Sequence, residues 1–146
     1  MKILITGANG QLGKACQSEF QHHTHLATDR NTLDITNREQ CHSVLHDYKP
    51  DVVIHCAAWT DVRRAESAQK ECYEVSLQGT YNLALVAKEL DCIFVHLSTD
   101  YVFGGEKDTP YIEDDLVNPL NVYGRSKLAA ELVVGDLLKK YYIVRT

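Results

Sequence analysis

The chain has 146 residues, a length that suits one domain with a buried core. Its net charge is −5 and it has no basic block, which argues against a nucleic-acid-binding groove. No apolar run approaches the roughly 20 residues that a membrane-spanning helix needs, and the N-terminal residues lack signal-peptide architecture. We therefore expect one globular, cytoplasmic domain over residues 1–146 that binds neither nucleic acid nor a membrane.

Cysteine and histidine usage indicates a reducing compartment and predicts no metal site. The five cysteines are odd in number, widely spaced and without a Cys-x-x-Cys motif, so we expect unpaired, mostly buried thiols. His22, His23 and His25 stand together, but no carboxylate or cysteine completes a ligand set there. A solvated loop is the better interpretation of these histidines.

The first predicted elements are typical of a dinucleotide-binding turn. An apolar strand over residues 2–6 leads into Gly7-x-x-Gly10-x-x-Gly13, and a helical pattern follows. Glycines at such a junction permit a tight turn, close approach of the backbone to a pyrophosphate, and close packing of helix on strand. The helix N-terminus then offers N–H groups and a positive dipole end to phosphate. A plain strand-to-helix turn is the alternative interpretation.

A second predicted strand ends in Asp29-Arg30. An acidic residue about 20 positions beyond the glycines is placed to hold a ribose diol, whereas an arginine could meet a 2′-phosphate, so NADH and NADPH both remain open. Thr36-x-x-Glu39 forms a capping box, which predicts a helix from there to about Tyr48.

Two further buried strands are predicted over residues 52–58 and 93–97, separated by a long helix from about Gln69 to Leu90. The third strand runs into Ala57 and Ala58, small residues that suit a flat ring or ribose lying on the backbone. Packing against a helix explains them equally well. The fourth strand carries Thr99 at its carboxyl end, where open α/β sheets form ligand sites.

A loop over residues 103–121 is long enough to be functional, and the next helix begins near Tyr123. Tyr123 and Lys127 are four residues apart and therefore share one helix face. An ammonium beside a phenol favours the phenolate, which brings a pKa of about 10 closer to working pH. Thr99 could hold a substrate oxygen. Such a Tyr–Lys pair also occurs on solvated helix faces, so its weight comes from the residues around it.

The alternation of five strands with helices predicts an α/β fold. We expect a Rossmann-like, doubly wound parallel sheet with helices on both faces and right-handed crossovers. The expected strand order is 3-2-1-4-5, with the cofactor cleft at the switch between strands one and four.

Three motifs together resemble the extended short-chain dehydrogenase/reductases. They are the glycine motif at 7–13, the string Ser-Thr-Asp-Tyr-Val-Phe at 98–103, and Asn-Pro-x-Asn-Val-Tyr-Gly-x-Ser-Lys at 118–127. Within this family the chain is most similar to the dTDP-4-dehydrorhamnose reductase group. The resemblance implies an oxidoreductase that uses NADPH or NADH to reduce the 4-keto group of dTDP-4-dehydro-L-rhamnose, giving dTDP-L-rhamnose for cell-surface polysaccharide.

The resemblance also implies roles for individual residues. Tyr123 would protonate the C4 oxygen, Lys127 would hold the nicotinamide ribose and lower the pKa of Tyr123, and Thr99 would hydrogen-bond the keto oxygen. Tyr123 and Lys127 are also implied to contact the cofactor. The other cofactor contacts implied are Gly7, Gly10, Gln11, Leu12 and Gly13 at the pyrophosphate, Asp29 and Arg30 at the adenosine ribose, Asp34 and Ile35 at adenine, and Ala57, Ala58 and Thr60 along the cleft.

The chain departs from the family pattern at two positions. Ser76 stands where the family usually has asparagine, and Arg63 stands in the segment after Thr60 where the family commonly has aspartate.

Family members are also longer than this chain, with a second lobe that binds the sugar nucleotide. The alternative function is therefore a non-catalytic dinucleotide-binding or regulatory module of the same fold. A nucleotide-sugar epimerase or dehydratase is a third interpretation, but dehydratases of this type usually have Asp-Glu where Asp100-Tyr101 stands. Without a second lobe, the last strand is expected to expose apolar surface, which would cause homodimerisation or poor solubility.

Overall fold

Five parallel strands form the central sheet of the computed structural model, which describes residues 1–146. The strands are β1 (Lys2–Thr6), β2 (Thr24–Thr28), β3 (Val52–His55), β4 (Ile93–Ser98) and β5 (Tyr141–Arg145). Their order in the sheet is β2-β1-β3-β4-β5, and Ile5 of β1 lies between Ala27 of β2 and Ile54 of β3. The predicted α/β class and parallel sheet are confirmed.

The predicted strand order 3-2-1-4-5 is wrong, because the third strand lies beside β1 and not beyond β2. Helix α1 (Gln11–Glu19) packs on the face that carries Ile3 and Ile5, whereas α2 (Arg38–Tyr48) packs on the opposite face with Leu4. A right-handed crossover that changes face also reverses its direction across the sheet. The chain therefore returns past β1, and the switch point lies between β1 and β3.

The remaining helical elements follow in chain order. They are α3 (Val62–Ala65), α4 (Gln69–Tyr73), a π-helical turn (Glu74–Gln78), α5 (Gly79–Glu89), a 3₁₀ turn (Asp100–Val102) and α6 (Val122–Leu137). The predicted long helix over residues 69–90 thus exists with a π-helical turn inside it. None of these helices combines the length and apolar content that crossing a bilayer requires.

The start of α2 differs from the predicted capping box at Thr36. Asn37 is the N-cap, and its side chain accepts a hydrogen bond from the Gln40 N–H. The Thr36 hydroxyl is not available as a cap because it donates to the Asp34 carboxylate at 2.7 Å.

The two faces of the sheet are covered unequally. Helices α2, α5 and α6 bury a core of 14 residues on one face, and Phe94 is its largest fully buried side chain. Helix α1 alone covers the other face, where the core has four buried residues. Tyr142 and Val144 of β5 remain 64% and 41% exposed. This confirms the predicted apolar exposure on the last strand.

Candidate active site

The glycine turn after β1 is built by close backbone approaches. Gly7 has φ +65°, and a Cβ on it would lie 2.7 Å from the Ala57 nitrogen. A Cβ on Gly13 would overlap the Gly7 carbonyl oxygen, whereas one on Gly10 would meet that oxygen at 3.2 Å. Gly7 and Gly13 are therefore required for packing, and the exposed Gly10 keeps the approach to the turn open.

Helix α1 begins directly after this turn without a capping side chain. Gly10 is its N-cap, makes no side-chain hydrogen bond, and no acidic residue stands in the first turn. The first-turn amides of Gln11, Leu12 and Gly13 thus keep the positive end of the helix dipole available to an anion. None of these three residues lines the neighbouring cavity, so their contribution to a phosphate would come from the backbone amides at the helix start.

A cavity of about 610 Å³ opens at the carboxyl ends of β1, β2 and β3. The switch point between β1 and β3 is where ligands bind in open α/β sheets. The cavity brings together nine of the predicted cofactor residues, namely Gly7, Gly10, Asp29, Arg30, Asp34, Ile35, Ala57, Ala58 and Thr60. It is large enough for part of a dinucleotide.

The acidic residue at the end of β2 is fixed by its own loop. The Asp29 carboxylate accepts hydrogen bonds from the Asn9 amide at 2.7 Å and from the backbone N–H groups of Asn31 and Thr32. The bonds from Thr32 are the largest cause of its lowered pKa. Arg30 is 85% exposed, with its nearest acid, Asp34, at 3.9 Å. Arg30 is therefore the more adaptable of the two predicted ribose contacts.

Asn9 and Arg64 line the cavity but were missed by sequence reasoning. Asn9 ties the glycine turn to β2 through Asp29, a role that its place between two glycines did not reveal. The Arg64 guanidinium lies 5.5 Å over the Trp59 ring, and its backbone N–H is capped by Asp61. The Asp-x-x-Arg spacing at a helix start was the only available signal for Arg64.

A chain of buried hydrogen bonds ends at Ala57, one of the residues that line the cavity. The Thr80 hydroxyl donates to the Ser76 carbonyl at 2.6 Å, so it can only accept from His55 Nε2, at 3.0 Å. His55 Nδ1 then accepts from the Thr6 hydroxyl at 2.8 Å, and that hydroxyl accepts from the Ala57 N–H at 3.2 Å. Burial lowers the pKa of His55 to about 3. His55 is thus neutral and structural: through the Thr6 hydroxyl it holds the backbone of Ala57 in place, and it is not a catalytic base.

The two departures from the family pattern lie in different environments. The Ser76 hydroxyl is buried and has no hydrogen-bond partner, although its carbonyl accepts from Thr80. Arg63 is exposed on α3 and does not line the cavity.

Tyr123 and Lys127 lie in the first two turns of α6, as predicted. The helix start is fixed by Asn121, which caps the Gly124 N–H at 2.7 Å, and by Glu66, which accepts from the Val122 N–H at 2.8 Å. These two bonds link α6 to the loop before it and to the segment after α3.

Lys127 does not act on Tyr123 as expected. Its ammonium is almost fully buried and donates to the Leu97 carbonyl at 2.5 Å, and burial lowers its pKa to about 8. Burial also raises the pKa of the Tyr123 phenol, which the nearby Thr99 hydroxyl partly offsets. The predicted lowering of the Tyr123 pKa is therefore wrong for this structure, because desolvation outweighs any stabilisation of the phenolate.

Thr99 lies at the carboxyl end of β4, where it caps the following 3₁₀ turn. Its hydroxyl accepts from the Tyr101 N–H and donates to the Asp100 carboxylate, each at 3.2 Å. The Tyr101 ring meets the Tyr123 ring edge-on at 5.7 Å between centroids. A second cavity of about 280 Å³ opens here, lined by Asp100, Tyr101, Phe103, Gly104, Gly105, Tyr111, Leu120 and Asn121. The loop over residues 103–121 therefore lines a cavity next to Tyr123, the predicted proton donor.

The RmlD substrate binding domain family matches residues 1–146, from the first strand to the last. The chain belongs to this family.

Relatives of this RmlD-family chain are named reductases. A dTDP-4-dehydrorhamnose reductase of Aggregatibacter actinomycetemcomitans is 40% identical over 99% of this chain and 50% of its own length. The solved dTDP-4-dehydrorhamnose reductase of Bacillus anthracis, in complex with NADP, is 40% identical with a TM-score of 0.96 over 99% of this chain and 52% of that one.

Another relative carries a different name. The mouse methionine adenosyltransferase 2 subunit beta is 35% identical over 91% of this chain and 42% of its own length. The RmlD-family chain spans about half the length of the curated relatives it matches.

Proposed function

We propose that this RmlD-family chain is the dinucleotide-binding, proton-donating half of an oxidoreductase that reduces the 4-keto group of dTDP-4-dehydro-L-rhamnose to dTDP-L-rhamnose. The observation that carries the proposal is the placement of Thr99 and Tyr123 at the same edge of the sheet as the glycine-lined cavity. Relatives that are 40% identical and named dTDP-4-dehydrorhamnose reductase support it.

In this proposal the cavity binds NADPH or NADH. The amides at the start of α1 hold the pyrophosphate, and Asp29 and Arg30 meet the adenosine ribose. The cofactor supplies the hydride. Because Arg30 is exposed and adaptable while Asp29 is held by Asn9, we propose that the chain favours the 2′-phosphate of NADPH. The NADP complex of the Bacillus anthracis relative supports this preference.

The Tyr123 phenol is the proposed proton donor. The pKa of Tyr123 is raised, so the phenol stays protonated at neutral pH and can donate to an oxygen that gains negative charge. The Thr99 hydroxyl is proposed to hold that oxygen beside Tyr123. Lys127, anchored by the Leu97 carbonyl, is proposed to bind the nicotinamide ribose.

The test is NADPH oxidation in the presence of dTDP-4-dehydro-L-rhamnose. Tyr123→Phe should lower turnover by about 10²- to 10⁴-fold while changing the NADPH dissociation constant far less, because the ring stays in place and the main loss is the proton. Tyr101→Phe, a neighbouring phenol in contact with Tyr123, is the matched control and should retain most of the activity. Equal turnover by the wild type and Tyr123→Phe would contradict the role of this residue.

The second candidate function is a non-catalytic, dinucleotide-binding regulatory module. The mouse relative whose name describes a subunit of another enzyme favours this alternative. NADPH binding by the wild type without any turnover would support the module and count against the reductase.

The partners and location proposed here follow from the same features. The substrate is a dTDP-keto sugar, and a homodimer would cover the apolar side chains of β5. A cytoplasmic location is proposed because all five cysteines are unpaired. One domain over residues 1–146 remains our interpretation of the chain.

A further inference from the structure

Two histidines of α2 and one glutamate of α5 form a cluster outside the cavity. His42 and His46 are one helical turn apart, and their rings lie 4.1 Å apart between centroids. His46 Nε2 is 3.1 Å and His42 Nε2 is 3.8 Å from the same oxygen of Glu89, Oε2. The three nearest ligand atoms all lie within 4.8 Å of one another.

These distances fit a tetrahedral metal centre. Zinc binds imidazole nitrogen and carboxylate oxygen at about 2.0–2.2 Å, which places neighbouring ligand atoms roughly 3.4 Å apart around the ion. The two nitrogen-to-oxygen distances in the cluster lie on either side of that value. Small side-chain rotations are therefore enough to direct all three atoms at one ion.

Core packing and a buried hydrogen bond hold the two helices that carry the cluster. Cys41 and Leu45 of α2 pack with Val86 of α5 in the main core, and the Asn82 amide of α5 donates to the Ile35 carbonyl at 2.9 Å. The ligand side chains themselves are 59%, 38% and 50% exposed for His42, His46 and Glu89. The scaffold thus holds the ligand positions, while solvent supplies the entry path and a fourth ligand.

We propose that His42, His46 and Glu89 bind a borderline divalent cation of the zinc type. Two imidazoles and one carboxylate suit Zn²⁺, Co²⁺ or Ni²⁺ better than Mg²⁺ or Ca²⁺, which prefer oxygen ligands. Glu89 ends α5 just before β4 begins, at the amino ends of the strands and away from the cavity at their carboxyl ends. The ion would cross-link α2 to α5 and would not enter the reaction, so the inference is independent of the proposed function.

Without an ion, the His46–Glu89 hydrogen bond alone explains part of this geometry. It does not require His42, whose ring nitrogen also faces the same carboxylate oxygen. The sequence analysis predicted no metal because the histidines at 22–25 lack further ligands nearby. The ligands proposed here come from two different helices, and His46 and Glu89 are 43 residues apart in sequence.

Thermal unfolding of the 146-residue chain with added ZnCl₂ tests the proposal. Zn²⁺ should raise the Tm of the wild type in a saturable way, because it binds the folded pair of helices, and MgCl₂ should not. His46→Asn and Glu89→Gln should each weaken the apparent Zn²⁺ affinity at least about tenfold. His22→Asn, a histidine from the α1–β2 loop, is the matched control and should behave as the wild type.

The variants also separate this site from the five thiols. Zn²⁺ binding that survives unchanged in His46→Asn and Glu89→Gln would place the ion on cysteine or on the histidine loop and would overturn the proposal. A wild-type Tm that does not respond to Zn²⁺ would overturn it as well.

Discussion

Deep burial of charged and titratable side chains is the main feature of the candidate site at the scale of single residues. Lys127 is 2% exposed and His55 is 1% exposed. Burial lowers the pKa of Lys127 to about 8, from a usual 10.5, and the burial of Tyr123 itself raises the pKa of its phenol. The chemistry of both residues is thus governed by desolvation more than by their mutual charge.

Lys127 should make the stability of the fold depend on pH. Between pH 8 and 10.5 the unfolded chain binds the Lys127 proton and the folded chain does not, so Lys127 by itself should make the free energy of unfolding rise with pH across this window. The thiols of Cys41, Cys56 and Cys92, whose pKa burial raises to about 11 or 12, act in the opposite direction above pH 9, so the lysine contribution is the difference between the wild type and Lys127→Met. The full shift corresponds to roughly 3 kcal/mol. Urea unfolding from pH 7 to 10.5 measures this difference, which should grow in favour of the wild type as pH rises when the variant is Lys127→Met, but should stay constant when it is Lys139→Met, a change at an exposed lysine. Parallel stability curves for the wild type and Lys127→Met would contradict the buried charge.

Sequence reasoning identified residue types but not their surroundings. The four-residue spacing of Tyr123 and Lys127 predicts that they share one helix face, but it does not predict whether that face is buried. The hydrogen-bond chain through His55 was not predicted because its partners, Thr6 and Thr80, are 49 and 25 residues away in sequence. Such partners follow from the strand order, which the pattern of apolar runs leaves undetermined.

At the scale of elements, one arginine joins β5, α6 and the loop over residues 103–121. Arg145 makes two hydrogen bonds to the buried Glu131 carboxylate, at 2.7 and 3.0 Å. Its guanidinium lies 5.0 Å over the Phe103 ring and donates to the Glu113 carbonyl at 3.3 Å. This side chain therefore holds the wall of the second cavity against the sheet.

Removing Arg145 should destabilise the fold strongly. Arg145→Ala leaves the Glu131 carboxylate buried without its partner, which costs roughly 3 kcal/mol or more. Arg125→Ala is the matched control, since exposed Arg125 donates only to the Leu120 carbonyl and should change stability by less than about 0.5 kcal/mol. Urea unfolding of both variants gives the comparison. Similar losses of unfolding free energy in the two variants would show that the Arg145–Glu131 pair does not contribute much to stability.

Elements were easier to predict than their arrangement. The apolar runs and the glycine turn predicted all five strands and the longer helices between them, but not the one-turn helix α3 (Val62–Ala65), which lies in a stretch expected to be irregular. The strand order was wrong because it depends on which face α2 occupies, and that face is decided by packing of Leu45 and Cys41 in the main core. The π-helical turn at Glu74–Gln78 has no pattern that distinguishes it from an ordinary helix.

At the scale of the whole molecule, the sheet has an incompletely covered face. Only α1 packs there, and β5, at the edge of the sheet, exposes Tyr142 and Val144. An exposed edge strand with apolar side chains is a surface that favours association.

The chain should therefore self-associate as its concentration rises. Light scattering should show an increasing mean mass for the wild type, and Tyr142→Lys should shift this increase to higher concentration because it places a charge on the exposed face. Leu116→Lys, which changes a 91% exposed side chain in the loop, is the control and should not alter it. A wild type that remains monomeric at every concentration would refute the association.

The cavity beside the glycine turn is proposed to bind a nicotinamide dinucleotide. Gly10 allows a specific test, because a side chain there fills the approach to the turn and approaches the Gly7 carbonyl oxygen at 3.2 Å, whereas one at Gly13 would overlap that oxygen. Gly135, exposed on α6, accepts the same substitution away from the cavity.

The most direct measurement is a fluorescence titration of the chain with NADPH and with NADH. We predict saturable binding, tighter for NADPH, that Gly10→Val abolishes and Gly135→Val preserves, with all three proteins folded by circular dichroism. Binding that Gly10→Val leaves intact, or no binding by the folded wild type, would contradict the assignment of this cavity to the dinucleotide.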